Sequence, residues 1–368
     1  MSKEQAMELA LALALEGAGR TSPNPMVGAV VVSRGRVIGR GFHRRAGAAH
    51  AEVNALRDAG ARARGADLYV TLEPCCHHGR TPPCTDAIVR AGVARVFVGA
   101  IDPNPAVRGR GVAALRRAGV EVKVGLLRDE CRAINAAYNR LMESGVPFVT
   151  AKAAVTLDGR IAAADGSSRW ITNAEARTFG HTLRARHDAV MVGIGTALAD
   201  DPSLTARLPG ARALPRRAVV ADSRLRIPNG LTLMKRAAGS LIVLTTDRAP
   251  RARADELRAM GHQVVETKTK GGRVDMREAL AALGRMGIAS VLVEGGGSLI
   301  SEMVGQGLVD RMAIFVAPKF LGTRGAELMP GLLLRNMGEA IELEDVEIKA
   351  LGDNVLIDGM LRRRCSQG

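Results

Sequence analysis

A chain of 368 residues is too long for one ordinary core, so two domains are expected, and a hydrophobic content of 47% can fill both. The net charge of +15 is spread evenly, +8 within residues 1–146 and +7 in the remainder, with only nine aromatic side chains beside it. That distribution excludes a basic tail and leaves few platforms for stacking single-stranded bases, so small phosphorylated ligands account for the charge better than nucleic acid.

The opening "MSKEQAMELALALALEGAGR" carries Glu8 and Glu16 and reads as an amphipathic helix over about 3–17, not as a secretion signal. No later stretch approaches the roughly 18 apolar residues of a membrane span. A cytoplasmic protein with no membrane partner is expected. Two short strands follow, "MVGAVVVS" and "RVIGRGF", turning at "RG". A helix from about 50, a strand "DLYVTL", a helix after Cys84 and a strand "ARVFVGA" come next. A helix near 109–118, a strand "VEVKVG" and one long helix around 127–144 complete the series, which describes a mixed sheet covered by helices. Gly145 and Pro147 in "ESGVPFV" end that helix and set a boundary between domains 1–145 and 146–368.

The second half restarts with "PFVTAKAAVT" and continues through "HDAVMVG", "RRAVVAD", "SLIVLT", "HQVVET" and "ASVLVEG", with helical segments between most of them. Its end reads as three antiparallel strands, "RMAIFVAP", "IELEDVEIKAL" and "NVLIDGML". A largely parallel α/β sheet with an antiparallel edge is expected, and "GARALPRR" (210–217) is the best exposed loop.

Five cysteines, three of them within ten residues, point to a metal site or free thiols and not to a disulfide framework. His50 and Glu52 in "HAEVNAL", with Cys75 and Cys84 in "TLEPCCHHGRTPPC", supply one imidazole, two thiolates and a carboxylate. Three ligands plus an unliganded acid form the set that lowers the pKa of a zinc-bound water and carries its proton, the H-x-E and P-C signature of zinc nucleobase deaminases. The cysteine half is stretched, with eight residues between Cys75 and Cys84. A closed zinc knot using His77 or His78 as a fourth ligand is the competing reading, and it has no use for Glu52. Pro74 restricts the approach to Cys75 and favours that sulfur over Cys76, which points elsewhere if the chain is extended. Asn24, in "SPNP", can donate and accept at once, as a pyrimidine edge requires, or can simply be a turn residue. Arg80 could fork onto a substrate phosphate, or be a surface arginine. His43, His77 and His78 remain weaker candidates.

"SPNPMVGAVVV", "GFH", "HAEVNAL", "TLEPCCHHGRTPPC" and "DPNP" together resemble the N-terminal domain of the riboflavin-biosynthesis deaminase–reductase family, and the second half resembles that family's reductase domain. The resemblance implies a cytidine-deaminase fold for the first domain and a dihydrofolate-reductase-like α/β fold for the second. It implies zinc on His50, Cys75 and Cys84, with Glu52 as the proton-shuttling acid. At Cys76 the family often has serine. The implied substrates are small phosphorylated pyrimidines, and the implied assembly is a homo-oligomer, dimer or tetramer.

No G-x-G-x-x-G opens a strand-to-helix turn, but glycines at 193 and 195 before Thr196, and at 295–297 after Glu294, could bring backbone N–H groups to a pyrophosphate at a helix start. The resemblance implies NADPH contacts at Ala154, Trp170, Thr196, Asp200 and Ser223 and along Gly296, Gly297, Ser298, Leu299, Ile300 and Ser301. It implies substrate contacts at Ser168, Arg184, Leu204, Arg207 and Glu294. Arg184 and Arg207 are suited to neutralising a phosphate, Glu294 to holding hydroxyl or amino groups, and Ser223 with Arg224 to binding a 2′-phosphate. The sequence identifies no proton donor for the reduction; Asp200 is the one residue considered for that role. Two other readings stay open: a nucleic-acid deaminase with an appended basic domain, and a zinc-stabilised binding module without activity.

Overall fold

The computed structural model describes residues 1–78, 82–210 and 216–362, and it separates into two units, Met1–Gly145 and Val146–Gly368. Arg80 and residues 211–215 of the expected loop lie outside the described residues.

In the first unit, α1 (Lys3–Leu15) starts from a capping box in which Ser2 and Gln5 satisfy each other's backbone N–H groups. Strands β1 (Gly28–Ser33) and β2 (Arg36–Phe42) form an antiparallel hairpin, as the turn residues require. Then follow α2 (Ala51–Ala59), β3 (Asp67–Leu72), α3 (Cys84–Ala91), β4 (Arg95–Ala100), α4 (Arg110–Arg117) and β5 (Glu121–Val124). The sheet order is β2-β1-β3-β4-β5, antiparallel at β1 and parallel from β3 onward. Strand alternation divides the apolar residues between two faces. Val31, Leu68, Val70, Val96 and Val98 pack with Ile88 and Leu115, while Val30, Tyr69 and Phe97 pack with Met7 and Ala10 of α1.

The long helix expected over 127–144 is instead two, α5 (Arg128–Ala133) and α6 (Ala136–Ser144). The break is at Asn135, which is buried and uses its amide to pair with both backbone groups of Met26, each at 2.8 Å. A side chain that bonds a distant backbone competes with helix continuation, and here the distant partner wins.

The second unit opens with β6 (Phe148–Thr156) and β7 (Arg160–Ala162), then α7 (Ala174–Arg186), β8 (Ala189–Gly193), α8 (Ile194–Asp200), β9 (Arg217–Ala221) and β10 (Leu241–Thr246). It continues with α9 (Arg251–Ala259), β11 (Gln263–Thr267), the small hairpin β12 (Thr269–Lys270) and β13 (Arg273–Val274), α10 (Met276–Arg285), β14 (Ser290–Glu294) and α11 (Gly297–Gly305). Strands β15 (Arg311–Ala317), β16 (Ala326–Glu327), β17 (Leu343–Leu351) and β18 (Asn354–Leu361) close the chain.

The nine-stranded sheet runs β11-β10-β9-β8-β14-β6-β15-β18-β17. "RMAIFVAP" was expected to be antiparallel, and β15 is so only toward β18. Toward β6 it is parallel, so it joins the two halves of the sheet. Strand β14 is central and ends at Glu294, between β8 ending at Gly193 and β6 carrying Lys152. Carboxyl ends of neighbouring parallel strands are where open α/β sheets bind ligands. Among the described residues no helix is long and apolar enough to cross a membrane.

Candidate active sites

Three short segments bring the metal-ligand types together. His50 is the extended residue just before α2, Cys75 follows β3 after Glu73 and Pro74, and Cys84 is the first residue of α3. His50 Nδ1 lies 3.2 Å from Cys84 Sγ and 3.5 Å from Cys75 Sγ, and the three ligand atoms all lie within 4.8 Å of one another. Zinc bonds of roughly 2.0 Å to nitrogen and 2.3 Å to sulfur give tetrahedral N···S edges of about 3.5 Å, so the group fits zinc. Neither His77 nor His78 belongs to the cluster; both are exposed. Three ligands leave a fourth position for water, which is a catalytic arrangement and not a closed knot.

Cys84 donates to Cys75 and holds that thiol well below its usual range, helped by His50, whereas the Cys75 thiolate and burial push the Cys84 thiol up. Cys76, half-buried beside them, lies outside the cluster, and burial raises its thiol.

Glu52, 3% exposed, sits in the first turn of α2 one residue beyond Ala51. Burial first and the Cys75 thiolate second push its carboxyl up to about 7. A carboxyl poised there can both take and return a proton near neutrality. Glu52, His50 and Cys75 line a cavity of about 450 Å³ together with Asn24, His43 and His77. Glu73, Asp102, Asn104, Val107 and Tyr138 line the same cavity, and the sequence singled out none of them by role. Asn24 Nδ2 lies 3.1 Å from His43 Nε2, while His43 Nδ1 faces the Ala49 carbonyl at 3.2 Å. The proton therefore sits on Nδ1, and Nε2 accepts from the Asn24 amide. Burial lowers the pKa of His43 and keeps this ring neutral.

In the second unit a cavity of about 430 Å³ lies at the ends of β8 and β9, beside α11. Thr196, Ser223, Gly296, Ser298 and Leu299 line it, as does Arg224. Gly295 and Gly296 have φ of 74° and 75°, and a Cβ on Gly295 would meet Thr196 Cγ2 at 2.9 Å, so only glycine lets the two loops close on each other. Gly195 and Thr196 lie inside the first turn of α8, where the sequence placed them ahead of it. Gly297, Ile300 and Ser301 are buried, and Ser301 Oγ donates to the Pro330 carbonyl at 2.9 Å. Arg226, Gly272 and Arg273 also line the cavity and were not anticipated.

A separate polar cluster surrounds the end of β14. Arg184 Nε and Nη2 donate to Glu294 Oε1 and Oε2 at 2.8 and 2.6 Å, and Arg184 Nη1 donates to the Thr205 carbonyl at 3.1 Å. The fork expected to meet a phosphate is thus aimed at Glu294. Burial pushes the Glu294 carboxyl up, but Arg184 and then Lys152 more than offset this and hold it below the usual carboxylate range. Lys152 is paired in register with Glu294 on β6, and burial lowers its ammonium pKa. It escaped notice because a single lysine in "AKAAVT" looks like a surface residue of an alternating strand. Arg207 is exposed, and its backbone N–H donates to His181 Nδ1 at 3.3 Å.

The other expected contacts are dispersed. Leu204 is 1% exposed within the apolar core beside β8 and β9. Ala154 packs near Phe179 and Phe315, and Ser168 is half-buried. Trp170 is 63% exposed, with the Arg177 guanidinium 4.4 Å from its ring centroid. Asp200 ends α8 with its carbonyl accepting from Arg169 Nη2 at 2.8 Å.

Residues 147–357 match the model of the RibD C-terminal domain, and residues 1–100 match that of the cytidine and deoxycytidylate deaminase zinc-binding region. The chain is 40% identical over 353 residues to the riboflavin biosynthesis protein RibD of Actinobacillus pleuropneumoniae, covering 96% of this chain and 93% of that one. It belongs to the RibD family. RibD of Escherichia coli K12 is 39% identical over 370 residues, covering 97% and 99%. Among solved structures, Acinetobacter baumannii RibD superposes with a TM-score of 0.88 at 36% identity, covering 98% and 99% of the two chains. The Thermotoga maritima deaminase/reductase gives 0.83 at 35%, covering 98% of each. The protein is therefore a bifunctional deaminase and reductase of riboflavin biosynthesis, with a cytidine-deaminase-like fold joined to a dihydrofolate-reductase-like one, and it uses zinc and NADPH. Family membership removes both the nucleic-acid deaminase and the inert zinc module.

Proposed function

We propose that residues 1–145 hydrolytically deaminate 2,5-diamino-6-ribosylamino-4(3H)-pyrimidinone 5′-phosphate, and that residues 146–368 reduce the ribosyl group of the product to a ribityl chain. The reading rests on one observation, the convergence of His50, Cys75, Cys84 and a buried Glu52 at one cavity. The solved Thermotoga relative bears the matching pair of activities in its name.

His50, Cys75 and Cys84 hold the metal, which when bound lowers the pKa of a water at the open position. Glu52 accepts a proton from that water as its oxygen adds to the amino-bearing ring carbon. It would then donate that proton to the departing nitrogen, which leaves as ammonia as the C–N bond breaks, while the remaining hydroxyl proton passes to the adjacent ring nitrogen and a carbonyl is left. The Asn24 carbonyl, oriented by His43, accepts from the pyrimidine edge, and Arg80 neutralises the phosphate.

In the second half NADPH supplies the hydride that ends on C1′ of the opened ribosyl group. Thr196, Ser223 and the stretch Gly296, Gly297, Ser298, Leu299, Ile300 and Ser301 would hold the cofactor, with Ala154, Trp170 and Asp200 as further contacts, and Ser223 with Arg224 would take its 2′-phosphate. Ser168, Leu204, Arg207 and the Arg184–Glu294 pair receive the pyrimidine and its phosphate. Asp200 is the proton donor of this reading. The enzyme acts in the cytoplasm as a homo-oligomer, dimer or tetramer, a state that light scattering reads directly.

The deciding experiment is Glu52→Gln, followed by ammonia release and, separately, NADPH oxidation on already deaminated substrate. Ammonia release falls by at least about a hundredfold, the lower range for losing a general acid–base, while NADPH oxidation is kept. Loss of both activities in a folded protein sinks the assignment of independent sites.

A further inference from the structure

Glu73 lies between β3 and the Pro74–Cys75 pair and is 4% exposed. It is not one of the clustered metal-ligand residues. Its carboxylate is spent on backbone. Oε2 accepts from Gly109 N–H at 2.8 Å and from Asp102 N–H at 3.3 Å, and Oε1 accepts from Val112 N–H at 3.0 Å.

Gly109 is the residue before α4 and Val112 its third residue. A helix start leaves its N–H groups unsatisfied, and Gly109 has no side chain with which to cap them. Glu73 does so from another element, with a negative charge placed where the helix dipole favours it. The third bond grips the other end of the same segment at Asp102. One carboxylate thus pins residues 102–112 at both ends. The contact is close: a Cβ on Gly111 would lie 2.0 Å from the Pro74 carbonyl oxygen. From the pinned segment Asp102, Asn104 and Val107 line the cavity that contains Glu52. Asp102 Oδ1 is further held by the Tyr138 hydroxyl and by the Asn104 N–H, both at 2.8 Å.

We propose that Glu73 is a positioning residue of the deaminase: it fixes the 102–112 segment as the wall against which the pyrimidine is seated, and so sets substrate affinity without serving the metal. This rests on reading the cavity as the deamination site. Glu73 acts through Asp102 and Asn104, whose polar atoms are held at set places on that wall.

Glu73→Gln keeps the volume but leaves one oxygen for three N–H groups, so at least one buried donor loses its acceptor. Ammonia release, zinc content and NADPH oxidation on deaminated substrate are measured together. KM for the pyrimidine rises about tenfold, the size of effect that one unsatisfied buried donor commands, with kcat within about twofold. Zinc content and NADPH oxidation stay at wild-type values. A fall in kcat at unchanged KM, or zinc lost in step with activity, overturns the proposal. Gly111→Ala keeps the charge of Glu73 but forces α4 away from it, its Cβ falling 2.0 Å from the Pro74 carbonyl oxygen and 3.2 Å from Glu73 Oε1, and it produces the same KM shift; an unchanged KM there also overturns it. Should Glu73→Gln not fold, Gly111→Ala decides alone, with faster hydrogen exchange at the Asp102, Gly109 and Val112 amides as its second readout. Glu52→Gln separates the two levels. If that variant still releases ammonia, the reading of the cavity fails; if it is inactive while both other variants keep the wild-type KM, only the role of Glu73 fails.

Discussion

Arg184 and Glu294 show how a residue's role depends on a partner far away in sequence. Each was legible as a polar side chain in a ligand-binding stretch, one on α7 and one at the end of β14, and each was assigned its own hand on the substrate. Nothing in linear spacing pairs residues 110 positions apart, yet their bidentate contact leaves them a single neutral unit. Both side chains are largely buried, at 17% and 11% exposure. Arg184→Met therefore strands a buried carboxylate and destabilises the second unit by roughly 3–5 kcal/mol, measured by urea unfolding. Adding Glu294→Leu recovers most of that stability without restoring NADPH oxidation. If the single variant is as stable as wild type, the pair is not balanced internally and Arg184 is free for the phosphate after all. The metal residues were legible for the opposite reason. His50, Cys75 and Cys84 come from types with only seven and five copies in the chain, and Glu52, not itself a ligand, stood out by lying two residues from His50.

At the scale of elements, strands and helices with clear periodicity stand where the pattern places them, including the α2 and α3 starts that deliver His50 and Cys84. The exceptions have long-range causes. Asn135 divides the helix over 127–144 by bonding Met26, and β15 takes its parallel neighbour from a strand whose paired residues stand 161 positions earlier in the chain. The end of α7 carries a testable consequence of this kind. His187, just past that helix, faces the Leu183 carbonyl with Nδ1 at 2.7 Å and the Thr150 hydroxyl with Nε2 at 2.9 Å. Nδ1–H donates and Nε2 accepts, so the ring is neutral, and burial lowers its pKa below the ordinary value. The unfolded chain takes up a proton at about 6.5 where the folded one does not, so this contribution is fully present above that pH and is lost as pH falls below it. His43, His181 and His262 are shifted in the same direction and steepen the overall decline. In urea titrations between neutral and mildly acidic pH, His187→Gln should show a shallower fall in midpoint than wild type. An identical slope would show that His187 is not among the groups responsible.

For the molecule as a whole, each unit has its own sheet with apolar residues on both faces, and the division falls after Gly145. Helix-ending glycine and Pro147 made that position legible, because they mark where periodicity stops. What the sequence could not convey is which residues of the reductase gather at one place, since the cavity at β8 and β9 and the polar cluster at β14 draw on segments more than 100 residues apart. A fragment of residues 146–368 is expected to fold and oxidise NADPH with deaminated substrate at a kcat within about threefold of the full chain. A fragment that folds but is inactive would mean that the second site needs the first half. Chelation of the intact protein should likewise stop ammonia release and spare NADPH oxidation.

The aromatic residues divide along the same line. The chain's single tryptophan, Trp170, belongs to the second unit, whereas its two tyrosines, Tyr69 and Tyr138, both belong to the first and are buried at 4% and 8% exposure. Indole emission excited at the red edge therefore reports one half of the molecule, and tyrosine dichroism is confined to the other. Melting of the two halves can be followed in a single unlabelled sample, each by its own colour.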